Sequence, residues 1–172
     1  MASSVDRVRE TFDNFFDRQY EPVVRSLTLV FGDRSRAEDA AQGAFERAYR
    51  KWRSVSEMDR PGTWVYVVAL RDARRALARE ERGEPFGETA SGETAVDGME
   101  DIAVTSISVQ AALARLPLRQ RAAVVLRYLG GLSVSEVAQA MGCAEGTVKA
   151  TLHAALQRLR VEFSEELVSD AG

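Results

Sequence analysis

Apolar residues recur along this chain at intervals of three and four, the spacing of one face of an α-helix. From about Arg9 to Phe31, Phe12, Phe15, Phe16, Tyr20, Val23, Val24, Leu27 and Val30 form one stripe that ends near Gly32, which predicts a core helix. Ser35 then stands three residues before Glu38, the spacing of a capping box. In the helix predicted there, Ala37, Ala41, Ala44, Phe45, Ala48, Tyr49 and Trp52 point inward, while Asp39, Gln42, Glu46 and Arg50 make a polar face. The small inward residues allow close approach of a neighbouring helix, although Gly43 in the middle costs about 1 kcal/mol relative to alanine. Residues 54–62, with Ser, Asp, Pro61 and Gly62, read as a loop. A long helix is predicted from Thr63, apolar almost all round at first and then carrying Arg71, Arg74, Arg75, Arg79 and Arg82.

The second half carries a sharper signal. Val109 to Leu116 and Arg119 to Leu129 predict two helices broken at Pro117, and Gly130-Gly131 turns the chain. Ser133 can cap a short helix whose inner face is Val134, Val137, Ala138 and Met141, ended by the permissive backbone of Gly142. The next helix carries Val148, Leu152, Ala155 and Leu159 at helical spacing, with Glu145 in its first turn where the helix dipole favours a carboxylate. Two helices about a tight glycine turn make a helix-turn-helix, whose second helix typically enters the DNA major groove. Spacing alone is also compatible with an αα-corner in any helical domain. The fold class expected is all-α, with two small helical domains joined by a flexible linker.

Composition narrows the functions. With 172 residues, 45% hydrophobic and 28% charged, the chain is long enough for one ordinary domain or two small ones. It has no apolar run long enough to span a bilayer and no charged-then-apolar leader, so no membrane insertion and a cytoplasmic location are expected. A lone cysteine, Cys143, rules out an internal disulfide, and with one histidine, His153, there is no metal-ligand pattern; no metal and no cofactor are expected. No phosphate-cradling glycine loop, nucleophile triad or paired-carboxylate site is recognisable, so the chain does not read as an enzyme.

The net charge of −3 is unevenly spread. Residues 1–82 carry 16 basic and 14 acidic side chains, 83–106 six acidic and none basic, 107–163 seven basic and three acidic, and 164–172 three acidic. Two mildly basic lobes are thus joined by an acidic, Gly- and Thr-rich linker, and the acidic tail past Phe163 is expected to fray. Arg71, Arg75, Arg79 and Arg82 fall along one side of their helix. That is equally a solvated face, partly neutralised by Asp72, Glu80 and Glu81, or, beside Trp64 and Tyr66, the cations and flat rings that unpaired DNA needs.

Taken in order, these pieces resemble a bacterial RNA polymerase sigma factor of the extracytoplasmic-function (ECF) type. Ala37-Glu38-Asp39 with Gln42, Phe45, Ala48 and Trp52 is similar to the signature helix of sigma region 2, and the stretch from Thr63 to Arg75 stands where that family has a Trp-initiated melting helix. Leu113 to Arg160, with Leu116-Pro117, Gln120-Arg121, Gly131, Ser133, Glu136 and Gly146-Thr147-Val148-Lys149, is similar to sigma region 4.

The resemblance implies domains at 1–82 and 107–163, around the linker 83–106 and before the tail 164–172. It implies a transcription-initiation protein that binds core RNA polymerase at the beta-prime clamp helices and the beta flap, together with double-stranded and melted promoter DNA, and an anti-sigma partner. By motif position it assigns Asp39, Gln42, Glu46, Arg47 and Arg50 to polymerase. Arg60, Trp64, Tyr66, Arg71, Arg74 and Arg75 fall to the minus-ten element, and Thr147, Lys149, Ala150, Thr151, His153 and Arg158 to the minus-thirty-five element. Three recognition-helix arginines usual in the family are Thr151, Ala154 and Leu156 here, equivalent to about 2–3 kcal/mol of phosphate attraction near physiological salt. In region 2, Arg71 replaces a usual asparagine and Val67 a frequent basic residue. Two other functions fit the same pieces: a stand-alone helix-turn-helix regulator, and a sigma-like protein that docks on polymerase without productive promoter binding.

Overall fold

The structure is a computed structural model that describes residues 10–82 and 107–169, without the side chains of 107–108 and 163–169. The linker 83–106 and the first nine and last three residues lie outside the described residues. The first lobe consists of α1 (Phe12–Phe31), α2 (Arg34–Arg50), the single-turn α3 (Trp52–Val55) and α4 (Pro61–Glu81). The second consists of α5 (Ile107–Arg115), α6 (Leu118–Val124) running into a π-helical turn (Val125–Leu129), α7 (Val134–Met141) and α8 (Glu145–Ser169).

In the first lobe α2 packs between α1 and α4. Its alanines 37, 40, 41, 44 and 48 are buried, which brings the flanking backbones close, while Phe45 fills the space against the ring face of α1. Phe15, Phe16 and Tyr20 meet Phe45 at centroid distances of 5.8, 5.1 and 5.6 Å, and Trp52 lies 4.9 Å from Phe15. These are the offset and edge-on distances at which aromatic rings attract.

Several boundaries differ from expectation. α2 is capped by Asp33 rather than Ser35: the Asp33 carboxylate accepts from the Arg36 N–H at 3.0 Å, so the helix starts at Arg34 and the Ser35–Glu38 spacing is coincidental. α1 starts after Thr11, whose hydroxyl accepts from the Asn14 N–H. The single-turn α3 takes the first two residues of the expected loop, Ser54 and Val55, and α4 starts at Pro61, a first-turn position where the missing N–H has no partner to lose. The acidic tail is helical as far as Ser169 rather than frayed past Phe163.

In the second lobe α8 packs on α5, α6 and α7. The π turn closes with the Gly130 N–H on the Val125 carbonyl at 2.8 Å and the Leu132 N–H on the Leu126 carbonyl at 3.0 Å. A Cβ at Gly130 would lie 2.9 Å from the Leu126 carbonyl oxygen, so the tight exit from this turn depends on glycine there. α7 has the expected Ser133 cap and a left-handed Gly142 after it (φ 65°), which gives the sharp turn into α8.

The two lobes do not sit apart. α4 packs on α7, and α1 packs on α5, α6 and the π turn, so buried side chains of both lobes belong to one continuous cluster.

Candidate nucleic-acid interface

On α2, Asp39, Gln42, Glu46 and Arg50 are exposed on the side opposite the buried alanines. Glu46 and Arg50 make an i,i+4 pair at 3.8 Å with side chains 68% and 74% exposed, which contributes a few tenths of a kcal/mol at most. Arg47, expected with this group, points elsewhere. It pairs with Asp72 of α4, and its Nε donates to the Gly43 carbonyl at 3.0 Å.

On α8 Thr147, Lys149, Ala150 and His153 are exposed in the first turns beside the exposed Glu145 and Gly146, with Arg158 farther along. Thr151 is half-buried and its hydroxyl donates back to the Thr147 carbonyl at 2.7 Å, an i−4 bond that ties it to its own helix. The N-terminal half of this face therefore offers one lysine as its fixed cation.

On α4 the six expected residues divide three ways. Trp64 is half-buried and packs against the core. Tyr66 is 5% exposed, with its hydroxyl 3.2 Å from the Ser26 Oγ and donating to the Pro22 carbonyl at 3.2 Å. Burial raises its pKa, an effect the Ser26 hydrogen bond and the Arg25 charge only partly offset. Tyr66 is thus a core residue bridging α4 to α1 and presents no ring to a base; its place in an apolar first turn did not show which side of the helix it occupied. Arg75 is exposed on the outer side.

The remaining three, Arg60, Arg71 and Arg74, all turn toward the second lobe. Arg60 donates to a Glu136 carboxylate oxygen at 2.5 Å and to the Gly131 carbonyl at 3.0 Å. Arg71 donates to the Gln139 carbonyl at 2.9 Å and Arg74 to the Met141 carbonyl at 3.0 Å. Gln139 and Met141 belong to the last turn of α7, where helix carbonyls lack intrahelical partners and the dipole is negative, so two guanidiniums cap that end.

Glu136 sits at the centre of this contact. One oxygen accepts from the Ser133 N–H at 2.7 Å, completing a capping box, and the other from the Thr63 hydroxyl at 2.9 Å. Burial pushes its pKa up, but the Ser133 and Thr63 hydrogen bonds and the Arg60 charge outweigh that, and the carboxyl lies below its usual value. Sequence reasoning passed over both Thr63 and Glu136. The Ser133–Glu136 spacing was a visible cue to the cap, whereas the partner lobe, more than 70 residues away, left no local trace.

Comparison with known proteins decides what this architecture belongs to. The family model for sigma-70 region 2 matches residues 16–83 and that for sigma-70, region 4 matches residues 106–159. The ECF RNA polymerase sigma factor SigM of Mycobacterium tuberculosis is 31% identical over 159 residues, covering 92% of this chain and 80% of the relative. The chain belongs to the ECF-type RNA polymerase sigma factors. The ECF sigma factor SigL of the same species is 30% identical over 154 residues (87% of each chain), and the RNA polymerase sigma-E factor of Streptomyces coelicolor is 29% identical over 152 residues (88% and 85%). Among solved structures, the sigma factor RpoE of Bartonella quintana, in complex with the anti-sigma factor NepR, superposes with a TM-score of 0.68 at 22% identity over 89% of this chain and 96% of that one, a likeness of fold.

As an ECF sigma factor the protein directs transcription initiation and is not itself an enzyme; sigma factors bind core RNA polymerase. The stand-alone regulator falls away, because a region 2 lobe accompanies the helix-turn-helix. No helix among the described residues is long and apolar enough to cross a membrane.

Proposed function

We propose that this sigma factor divides its work among three faces, with lobe boundaries at 1–82 and 107–163, the linker at 83–106 and the tail at 164–172. The exposed face of α2, Asp39, Gln42, Glu46 and Arg50, docks on the beta-prime clamp helices, and the second lobe meets the beta flap. Arg60, Trp64, Arg71, Arg74 and Arg75 serve the melted minus-ten strand. Thr147, Lys149, Ala150 and His153, with Arg158 on phosphate, read the minus-thirty-five element. The work is cytoplasmic, and an anti-sigma partner of the kind seen with the Bartonella relative covers these faces until it is released.

The observation that carries this reading is the segregation of exposed polar groups. The α2 set and the α8 set lie on different lobes and on helices whose opposite sides are buried, so each can meet its own partner. With reconstituted holoenzyme, Asp39→Arg with Glu46→Arg should reduce affinity for core polymerase at least tenfold. Lys149→Ala should leave core binding intact and weaken a duplex minus-thirty-five probe about two- to fivefold, in line with the loss of one phosphate neighbour. If the α2 double variant binds core polymerase as the parent does, the docking assignment is wrong.

A further inference from the structure

Asp72 stands three residues before Arg75 on α4, the spacing at which two side chains of one helix meet, so its carboxylate is placed to cancel part of the Arg75 charge. It is paired elsewhere. Arg47 reaches across from α2 as a fork: its Nη1 donates to Asp72 Oδ1 at 3.4 Å and its Nη2 pairs with Oδ2. The fork is itself anchored, because Arg47 Nε donates to the Gly43 carbonyl of its own helix at 3.0 Å. Side-chain exposures of 43% for Arg47 and 24% for Asp72 put the pair at the edge of the α2–α4 seam, partly sheltered from solvent. The same arrangement recurs eight residues along α4, where Arg36 of α2 donates to the Glu80 carboxylate at 2.8 Å. In both pairs α4 supplies the acid and α2 the base. Arg75 and Arg79, exposed on α4, have no side-chain partner among the described residues.

We propose that Arg47 is a positioning residue for strand binding: it draws the Asp72 carboxylate into the α2–α4 seam and thereby leaves Arg75 free to hold a phosphate. In this role Arg47 touches neither polymerase nor DNA. An ion pair between residues three apart on an exposed helix face is weak, whereas a guanidinium that meets both oxygens of a carboxylate makes one of the stronger charge contacts, so the carboxylate stays with Arg47. The consequence is electrostatic. A carboxylate on the outer side of α4 would lie about one helical turn from Arg75, well inside the roughly 8 Å over which charges act at physiological salt, and would repel the phosphate that Arg75 attracts. Paired with Arg47 it adds no net charge there. Asp72, which by spacing partly neutralises the arginine row of α4, is thus taken out of that row by a helix of the same lobe.

The inference rests on the assignment of Arg75 to the strand, and the two fail in different variants. The probe is a fluorescent ten-nucleotide oligothymidylate, read by anisotropy with the full-length chain at low salt, because phosphate contacts carry no sequence information. Arg75→Gln should weaken binding about two- to fivefold; no loss there shows that Arg75 holds no phosphate and overturns the strand assignment together with the inference. Arg47→Gln, which releases Asp72, should weaken binding by a similar factor. Adding Asp72→Asn to Arg47→Gln should bring the affinity back to within about twofold of the parent. That double variant lacks the ion pair as fully as the single one, so its recovery cannot come from restored packing, and circular dichroism at the assay temperature verifies that both are folded. Asp72→Asn alone should bind at least as tightly as the parent. In an Arg75→Gln background, Arg47→Gln should cost less than about twofold further, since the residue it serves is gone. Affinity for core polymerase should be the same for Arg47→Gln and the parent. Unchanged oligonucleotide binding in Arg47→Gln, or a loss that Asp72→Asn does not repair, overturns the positioning role. A fall in core-polymerase affinity that persists with Asp72→Asn overturns it as well and returns Arg47 to the docking surface.

Discussion

α2 and α4 are neighbouring helices of one lobe, and each carries the polar residues of a proposed partner surface. On α2 these residues are exposed, with Glu46 and Arg50 paired to each other. On α4, Arg60, Arg71 and Arg74 are held by the other lobe. The inner seams differ as well: α2 meets its neighbours through buried alanines and a packed ring cluster, while α4 meets α7 through long guanidiniums on carbonyls and one carboxylate. Both sets are exposed, but Arg60, Arg71 and Arg74 are hydrogen-bonded across to the second lobe.

That contrast can be broken most severely from the α2 side. Phe45→Ala removes a side chain 2% exposed and in contact with three rings, and should lower the stability of the first lobe by about 3–5 kcal/mol in urea unfolding, enough to lose polymerase binding altogether. In the second lobe Gly130→Ala drives a methyl onto the Leu126 carbonyl oxygen and the Leu132 side chain, and should cost about 1–3 kcal/mol. The same melt should show the first lobe retained. Ser133→Ala takes one half of the capping box and should cost about 1 kcal/mol, read as a lowered melting temperature of the second lobe.

The smallest effect is on pH. Glu136 has its folded-state pKa below the ordinary value, so its contribution is fully present above the unfolded carboxylate range and is lost as pH falls through the folded pKa. Acidification into and below the carboxylate range should therefore loosen the α4–α7 contact before the α1–α2 ring cluster, which is built of aromatic side chains. The distance between spin labels placed on the two lobes, recorded against pH, checks the order of loss.

How far the sequence could be read follows from where each signal resides. The α7–α8 turn was legible because Ser133, Gly142 and the apolar spacing are local and agree with one another. On α2 the exposure of Asp39, Gln42, Glu46 and Arg50 was legible for the same reason, but Tyr49, expected to point inward, is 66% exposed at the end of the helix. Asp33 was overlooked as a cap because Ser35 and Glu38 imitate one, and only the geometry of the Arg36 N–H distinguishes them. α3 is a single turn with no periodicity to detect, and the π turn depends on Gly130 closing against a carbonyl rather than on any apolar pattern. Tyr66 was misplaced because the start of α4 is apolar on several sides and does not reveal which side its neighbours take, and Arg47 because its partner Asp72 lies 25 positions away on α4. The α4–α7 contact joins residues 67 to 76 positions apart through flexible side chains, a pairing that no local spacing encodes.

The comparison between α2 and α4 is tested most directly by titrating one labelled single-stranded minus-ten oligonucleotide with the free chain and with the chain bound to core polymerase, at one salt concentration. The account predicts that the free chain binds core polymerase readily yet holds the strand at least tenfold more weakly than the holoenzyme does. Equal affinity of the free chain and the holoenzyme for the strand would contradict it, because the hydrogen bonds of Arg60, Arg71 and Arg74 to the second lobe would then not compete with the strand.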